Sequence, residues 1–421
     1  MKTPVSRTAP YAASVGWDEL RAFAEARLGN RREARWLVEA VATGQANPSP
    51  YGDQGVARME SGCVDPGDGP VDARSPDQAG ASEKPAGRTQ VSGRTQVSGR
   101  TKAAVKTRTG APTESERQLV AALVARRLQG EPLQYVLGFW QFRNIELVVD
   151  RRGLIPRPET EQVVEVALRE LRRVADLAYP GAPHAGVNHT AEGGCDEVST
   201  RSSSPVPSVM NVVDLGTGSG AIALAIAAEA PGLLLSQTRS GRPDRSGSRE
   251  SPDRAGFVPS PLPPGQLSPR LDVWATDRSA EAIELAEENR VRLANSLGPT
   301  FHLCQGDWWQ ALPSRLAGAV NVAVSNPPYI STAEMSTLDA VVRDWEPRDA
   351  LEAGPAGTEA HQRILTEAAS WLAPGGAIIL EIAPHQAEDV ASLARAAGLM
   401  EVEVDLDLAG RQRVLVARQK L

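Results

Sequence analysis

Apolar residues recur three and four apart at Trp17, Leu20, Ala24 and Leu28, a spacing that places them on one helical face. Gly29-Asn30 interrupts the pattern, and Ala34 to Val41, with Trp36 and Leu37, resumes it, so 12–43 is expected to hold two helices. From Gly44 to Gly110 the periodicity vanishes, and Gly-Arg-Thr-Gln-Val-Ser occurs twice in tandem at 87–98. That composition predicts a disordered, low-complexity insertion. Thr113 and Glu116 have the spacing of a capping box, followed by a helical stripe of Leu119, Val120, Leu123, Val124 and Leu128 that Gly130 and Pro132 end. Residues 1–138 therefore read as a small N-terminal helical domain split by the insertion. Ile145, Leu147 and Val149 alternate as a strand, and Asp150-Arg151-Arg152-Gly153 reads as a turn before Leu154-Ile155. A β-hairpin linker is expected over 139–158.

Beyond it the period alternates between helix and strand. A helix is predicted from Thr160 toward Ala175, a strand at Asn211–Leu215, a helix at Ala221–Ala230 and a strand at Leu271–Asp277. Ser279 is placed to cap a helix over Ala280–Asn295. Further strands are expected at Thr300–Leu303, Val320–Val324, Ala377–Ile382 and Arg413–Ala417, with a helix at Glu359–Leu372. Such alternation predicts a doubly wound α/β sheet over 159–421. Polar tracts at 176–208 and 236–270 read as disordered loop insertions, where extra length costs little stability.

Composition narrows the class. An apolar fraction of 41%, with 32 prolines and 37 glycines in 421 residues, fits a globular core interrupted by non-core tracts. Cys63, Cys195 and Cys304 are scattered and odd in number, which points to a reducing compartment rather than a disulfide framework or a zinc site, and no metal is expected. Met1-Lys2-Thr3-Pro4 leads into no apolar signal stretch, and no run reaches the ~18 apolar residues of a membrane span. A cytoplasmic protein without a membrane partner is expected. The net charge is −7, and the three polar tracts together are slightly basic, so the rest of the chain is more acidic still. That balance serves nucleic acid poorly, since affinity for it rests on cationic contacts to phosphate.

Candidate chemistry sits where strands end. Gly216-Thr217-Gly218-Ser219-Gly220 lies between a strand and a helix, where glycines let the backbone turn tightly and let a ligand approach the helix N-terminus. It lacks the Lys of a Walker loop, which argues against ATP hydrolysis, and its spacing differs from Gly-x-Gly-x-x-Gly. Asp277 ends the next strand, where an acidic residue meets a ribose diol or caps the following helix. Gly306-Asp307-Trp308-Trp309 follows another strand; either Trp is a candidate platform for adenine or a core residue. Ser325-Asn326-Pro327-Pro328-Tyr329-Ile330 follows the Val320–Val324 strand. Its prolines withhold two backbone donors and stiffen the loop, Asn326 carries an amide, and Tyr329 offers a flat face. Taken alone, Asn-Pro is also an ordinary turn signal.

Together these segments resemble the class I S-adenosylmethionine-dependent methyltransferases, a Rossmann-like doubly wound fold, and Asn-Pro-Pro-Tyr is shared by those that methylate planar nitrogen in adenine, cytosine or glutamine. Further segments are similar to the release factor glutamine methyltransferases: Gly130–Gly138, Gly153-Leu154-Ile155-Pro156-Arg157-Pro158-Glu159-Thr160-Glu161 and Glu346-Pro347-Arg348-Asp349-Ala350-Leu351. Gly375-Gly376, Glu381-Ile382, Gln386 and Asp407-Leu408-Ala409-Gly410-Arg411 continue the likeness. The resemblance covers 12–43 and 112–421 apart from the two later tracts; the chain departs from it in its three insertions and in Ala383, where the family usually has Gly.

The resemblance implies S-adenosylmethionine as co-substrate, held by Gly216, Thr217, Gly218, Ser219, Gly220, Asp277, Trp308 and Asn326. It implies Asn326, Pro327 and Tyr329 as catalytic residues and Asn326, Pro327, Pro328 and Tyr329 as the acceptor site. Asn326 and the Pro327 carbonyl would accept hydrogen bonds from the acceptor NH₂; Glu159 and Glu381 either line the site or serve as surface or capping groups. The implied partner is a peptide chain release factor, docked by the N-terminal helices of a monomer. A ribosomal-protein glutamine methyltransferase, a DNA adenine methyltransferase and a non-catalytic donor-binding protein are the rival expectations.

Overall fold

A computed structural model describes residues 16–46, 110–178, 209–236, 270–298 and 300–421. The expectations of disorder over 44–110, 176–208 and 236–270, and the first four residues of the 12–43 helical segment, lie outside the described residues apart from the tract edges.

Among the described residues, four helices form the N-terminal unit. In α1 (Trp17–Leu28), Glu19 accepts from the Gly16 amide at the start, and Gly29 closes the end. Asn30 caps α2 (Arg31–Ala42) by accepting from the Arg32 and Glu33 amides, which is why two helices form rather than one. Thr113 and Glu116 make the reciprocal capping box of α3 (Glu114–Leu128), and Gly138 ends the short α4 (Leu133–Leu137). Leu20, Leu37, Val38, Val41, Val120, Leu123 and Val136 are buried together between these helices.

The linker hairpin differs from its expected form. Its strands are β1 (Phe139–Phe142) and β2 (Ile145–Val148), joined by a two-residue turn at Arg143-Asn144 in which Arg143 has φ 49°. The 150–153 turn instead leads into a loop, because Pro156 and Pro158 remove the amides that a strand at Leu154-Ile155 would need to continue.

α5 (Glu161–Ala178), β3 (Val209–Leu215), α6 (Ala221–Ser236), β4 (Arg270–Asp277), α7 (Ala280–Leu293), β5 (Thr300–Gln305) and β6 (Val320–Ser325) follow. The α6 helix runs six residues past its expected end, through Pro231. Then come β7 (Ile330–Ser331), α8 (Ala340–Arg343), β8 (Glu352–Gly354), α9 (Glu359–Trp371), β9 (Leu372–Glu381), α10 (Ala387–Ala396), β10 (Met400–Leu406) and β11 (Gln412–Arg418). The main sheet has the order β10-β11-β9-β6-β3-β4-β5; β11 is antiparallel to both neighbours and the other pairings are parallel. This is the doubly wound architecture read from the sequence, and the linker hairpin stands before it.

Alternate residues of each inner strand feed two cores. Val212, Val322, Val324 and Ile379 pack with Val163, Leu171 and Leu224 on one face. Val213, Ala323, Ile378 and Leu380 pack with Ile364, Val390 and Trp309 on the other. β3 is the switch point: its neighbours β4 and β6 lie on opposite sides, so the loops leaving β3 and β6 diverge and open a crevice at their carboxyl ends.

Candidate active site

The loop after β3 is built on backbone. The amides of Gly216 and Thr217 both donate to the Thr276 carbonyl at 2.8 Å, tying the loop to the end of β4. Beneath it Asp214 is wholly buried; its Oδ2 accepts from the Thr217 hydroxyl at 2.6 Å and from the Ala223 amide at 3.1 Å. Burial pushes the Asp214 carboxyl up to about 7, against the pull of those two bonds. Asp277 accepts from the Gly218 amide through Oδ2 and from the Ser279 amide through Oδ1, both at 2.9 Å. It thus faces the glycine loop and steadies the start of α7 at once. Burial raises its pKa while the amide bonds oppose the rise.

The two tryptophans part company. Trp309 is fully buried, donates Nε1–H to the Ile364 carbonyl at 2.9 Å and stacks on Trp371. Trp308, at φ 49°, turns the other way and lies against Gly216. A Cβ on Gly216, itself at φ 72°, would fall 2.9 Å from the Trp308 ring, so glycine lets loop and indole close on each other.

The loop after β6 is built on side chains from distant segments. The Ser325 hydroxyl donates to the Leu215 carbonyl at 2.6 Å, pinning this loop beside the first. Asn326 Nδ2 donates to Thr160 Oγ1 at 3.1 Å, and Thr160 Oγ1 donates to Glu381 Oε2 at 2.7 Å. Tyr329 directs its hydroxyl to Glu381 Oε1 at 3.5 Å. Gln386 Nε2 donates to the Tyr329 carbonyl at 2.9 Å and to the Gly357 carbonyl at 3.0 Å, while the Ile330 amide donates to the Leu351 carbonyl. Glu381 is 1% exposed, and burial pushes its carboxyl up to about 7. Burial pushes the Tyr329 phenol up to about 12, so it stays protonated.

Between the loops lies a cavity of about 730 Å³, within the range of small-molecule sites. Gly216, Thr217, Gly218, Ser219, Asp277, Trp308, Asn326 and Pro328 line it. Gly220, Pro327 and Tyr329 do not: Gly220 faces Leu224 and Ala286, Pro327 is buried, and Tyr329 turns toward Glu381. Leu154, Pro156 and Thr160 close one side and Pro347–Ala350 another, so two of the segments that carried the family resemblance meet at its rim. Arg157 pairs with the buried Glu346 and joins those two walls.

Thr160 is the site residue to which sequence gives no role; its signals are its place at the start of a helix and within the Gly153–Glu161 segment. Glu159 does not line the cavity; it lies near Arg411, and its charge acts on Glu381. Among the described residues no histidine or cysteine lines the cavity. Among the described residues no group of three or more His, Cys, Asp or Glu side chains is placed to hold a metal, and no helix is long and apolar enough to cross a membrane. A second cavity, about 450 Å³, opens at the opposite end of the strands beside Val209, Arg270 and Thr300, away from both loops.

Residues 97–138 match the family described as the PrmC N-terminal domain. The release factor glutamine methyltransferase of Coxiella burnetii (strain RSA 493 / Nine Mile phase I) is 32% identical over 305 residues, covering 72% of this chain and 81% of its own. That of Gloeobacter violaceus (strain ATCC 29082 / PCC 7421) is 33% identical over 305 residues, covering 72% and 80%. The solved protein-(glutamine-N5) methyltransferase (release factor-specific) from Alicyclobacillus acidocaldarius subsp. acidocaldarius DSM 446 aligns with 63% of this chain and 95% of its own at 23% identity, with a TM-score of 0.29. Identity of about a third, sustained over nearly three quarters of this chain and four fifths of those relatives, makes it a member of the release factor glutamine methyltransferase family.

Proposed function

We propose that the chain transfers a methyl group from S-adenosylmethionine to the side-chain amide nitrogen (N5) of the glutamine in the Gly-Gly-Gln loop of a peptide chain release factor. The observation that carries this reading is the presence of Asn326 and the Gly216–Ser219 loop with Asp277 on the walls of one cavity. An acceptor amide and a donor nucleoside can therefore meet without either loop moving past the other.

The residues fit that donor. Asp277 retains a free lone pair on each carboxylate oxygen for a ribose diol, although each already accepts one amide. The Trp308 ring supplies an aromatic wall for adenine, and a Cβ position at Gly218 meets nothing within 4 Å, so the loop leaves room for close approach. Asp214 Oδ1 is buried with no hydrogen-bond partner among the described residues, beneath the same loop. S-adenosylmethionine, when bound, supplies a methyl group activated by its sulfonium.

The protein's task is placement. A glutamine amide is a weak nucleophile because its lone pair is shared with the carbonyl, so holding the nitrogen in line with the methyl group provides most of the acceleration. Asn326 Oδ1 and the Pro327 carbonyl accept from the two N–H bonds of the acceptor amide, which orients the nitrogen and favours positive charge developing on it. Pro327 and Pro328 keep the loop stiff, and Tyr329, turned toward Glu381, braces it from outside the cavity. Once methylated, the nitrogen loses one of its protons to solvent, since an N-protonated amide is strongly acidic. The N-terminal helices of a monomer dock the protein substrate, and a translation factor as substrate implies a cytoplasmic enzyme.

The test is incubation of the purified chain with labelled S-adenosylmethionine and, separately, a release factor, a ribosomal protein and DNA, followed by peptide mapping. Label is expected on the Gly-Gly-Gln glutamine. Label confined to the ribosomal protein or to DNA, or absent from all three, would overturn the reading.

A further inference from the structure

We propose that Thr160 and Glu381 are positioning residues that decide which end of the Asn326 amide faces the acceptor. This rests on the acceptor role of Asn326 given above and adds a device the role requires. An Asn side chain has an accepting end and a donating end of nearly the same shape. Only the accepting end can hold an acceptor NH₂. A reversed Asn326 would confront that group with two more N–H bonds and push it away from the methyl path.

Counting protons along the relay settles the orientation. An ionised Glu381 has no hydrogen to give, so the 2.7 Å bond to Thr160 uses the single hydroxyl proton of Thr160. Thr160 Oγ1 is then left only as an acceptor, and the side chain that donates to it at 3.1 Å must be the Nδ2 end of Asn326. The Oδ1 end consequently turns away from Thr160. Two residues, 166 and 55 positions from Asn326 along the chain, thus leave one amide orientation fully bonded and the other with an acceptor facing an acceptor.

The same count predicts a proton switch. A protonated Glu381 can donate to Thr160 Oγ1, which frees the Thr160 hydroxyl proton for Asn326 and lets the amide turn over. The groups facing Glu381 are Thr160 and Glu159 from the turn before α5, Tyr329 from the loop after β6, and Arg413 from β11. His361 of α9 bonds only the Glu381 carbonyl oxygen, and burial keeps it neutral by lowering its pKa. Arg413 favours the carboxylate while Glu159 and burial oppose it, and the carboxyl is pushed up to about 7. Turnover should therefore rise with pH through the neutral range as Glu381 ionises.

The experiment measures kcat and the KM for S-adenosylmethionine with a release factor as acceptor, across neutral pH, for the full chain and three variants. Thr160→Val is expected to lower kcat about 10- to 100-fold with the donor KM unchanged. Thr160→Ser, which keeps the hydroxyl, should stay within a few-fold of the parent. Glu381→Gln can accept from Thr160 and donate to Tyr329, so it should retain turnover within about tenfold and lose the acidic limb of the pH profile. Parent-like kcat in Thr160→Val, a Thr160→Ser as slow as Thr160→Val, or an acidic limb that survives in Glu381→Gln would each overturn the relay. A parent chain that leaves the glutamine unmodified would overturn the functional reading and this inference together. Methylation by the parent with any of the three variant results above overturns the relay alone.

Discussion

The two loops that leave β3 and β6 stand side by side at the switch point and are made by opposite means. The first is shaped by its own backbone: alternate glycines, amides turned onto Thr276 and Asp277, and an indole seated where Gly216 has no side chain. The second is stiffened by prolines and then oriented from outside, by Thr160 and Glu381 on Asn326 and by Gln386 on the Tyr329 carbonyl. The difference matches the work each is given. A nucleoside presents a ribose and a ring that main chain, one carboxylate and one aromatic can grip. A planar amide has two ends, and discriminating them requires a side chain whose own direction is fixed.

If the work is divided in this way, damage to the second loop should appear in turnover and damage to the first in donor affinity. The largest effect is expected from Asn326→Ala: kcat should fall on the order of 10²- to 10³-fold, as when one preorganised hydrogen-bonding group is removed from a transition-state site. Rapid-quench single-turnover methylation measures it. Asp277→Ala comes next, weakening donor binding roughly 10- to 100-fold through the loss of charge-assisted hydrogen bonds, read by titration calorimetry with S-adenosylmethionine. Trp308→Ala should cost several-fold in the same titration, the scale of one aromatic contact. The comparison is sharpened most by a change that touches neither loop. Thr113→Ala removes the cap of α3 and should lower stability by about 1 kcal/mol in denaturant melts while leaving kcat and donor affinity where they were.

The same contrast explains what could be read from the sequence. The first loop was almost wholly legible, because Gly216–Ser219 and Asp277 act from short segments whose residue types state their purpose. The capping residues Thr113 and Ser279 were legible for the same reason, each acting within three residues of itself. Thr160 was not. Its partners lie on β9 and in the loop after β6, and only the packing of α5 against the sheet brings them within bonding distance. Trp308 and Trp309 were indistinguishable as neighbours of one type until the positive φ at Trp308 sent one ring into the cavity and left the other in the core.

The hairpin was misjudged because Leu154-Ile155 has strand-like side chains, whereas the flanking prolines act through missing amides. β10 and α10 were not assigned at all. The β10 strand is an edge with Met400 and Leu406 exposed; its strict alternation of apolar and acidic residues, Met400 to Leu406, differs from the near-continuous apolar runs that marked the inner strands.

One measurement tests the division of labour directly: donor dissociation constants and single-turnover rates at saturating S-adenosylmethionine, taken together for Asn326→Ala and Asp277→Ala. A crossed result is expected, with Asn326→Ala binding donor within a few-fold of the parent but barely transferring methyl. Asp277→Ala should bind donor weakly yet regain most of the parental rate once saturated. Equal losses of affinity and rate in both variants, or parental transfer by Asn326→Ala, would contradict it.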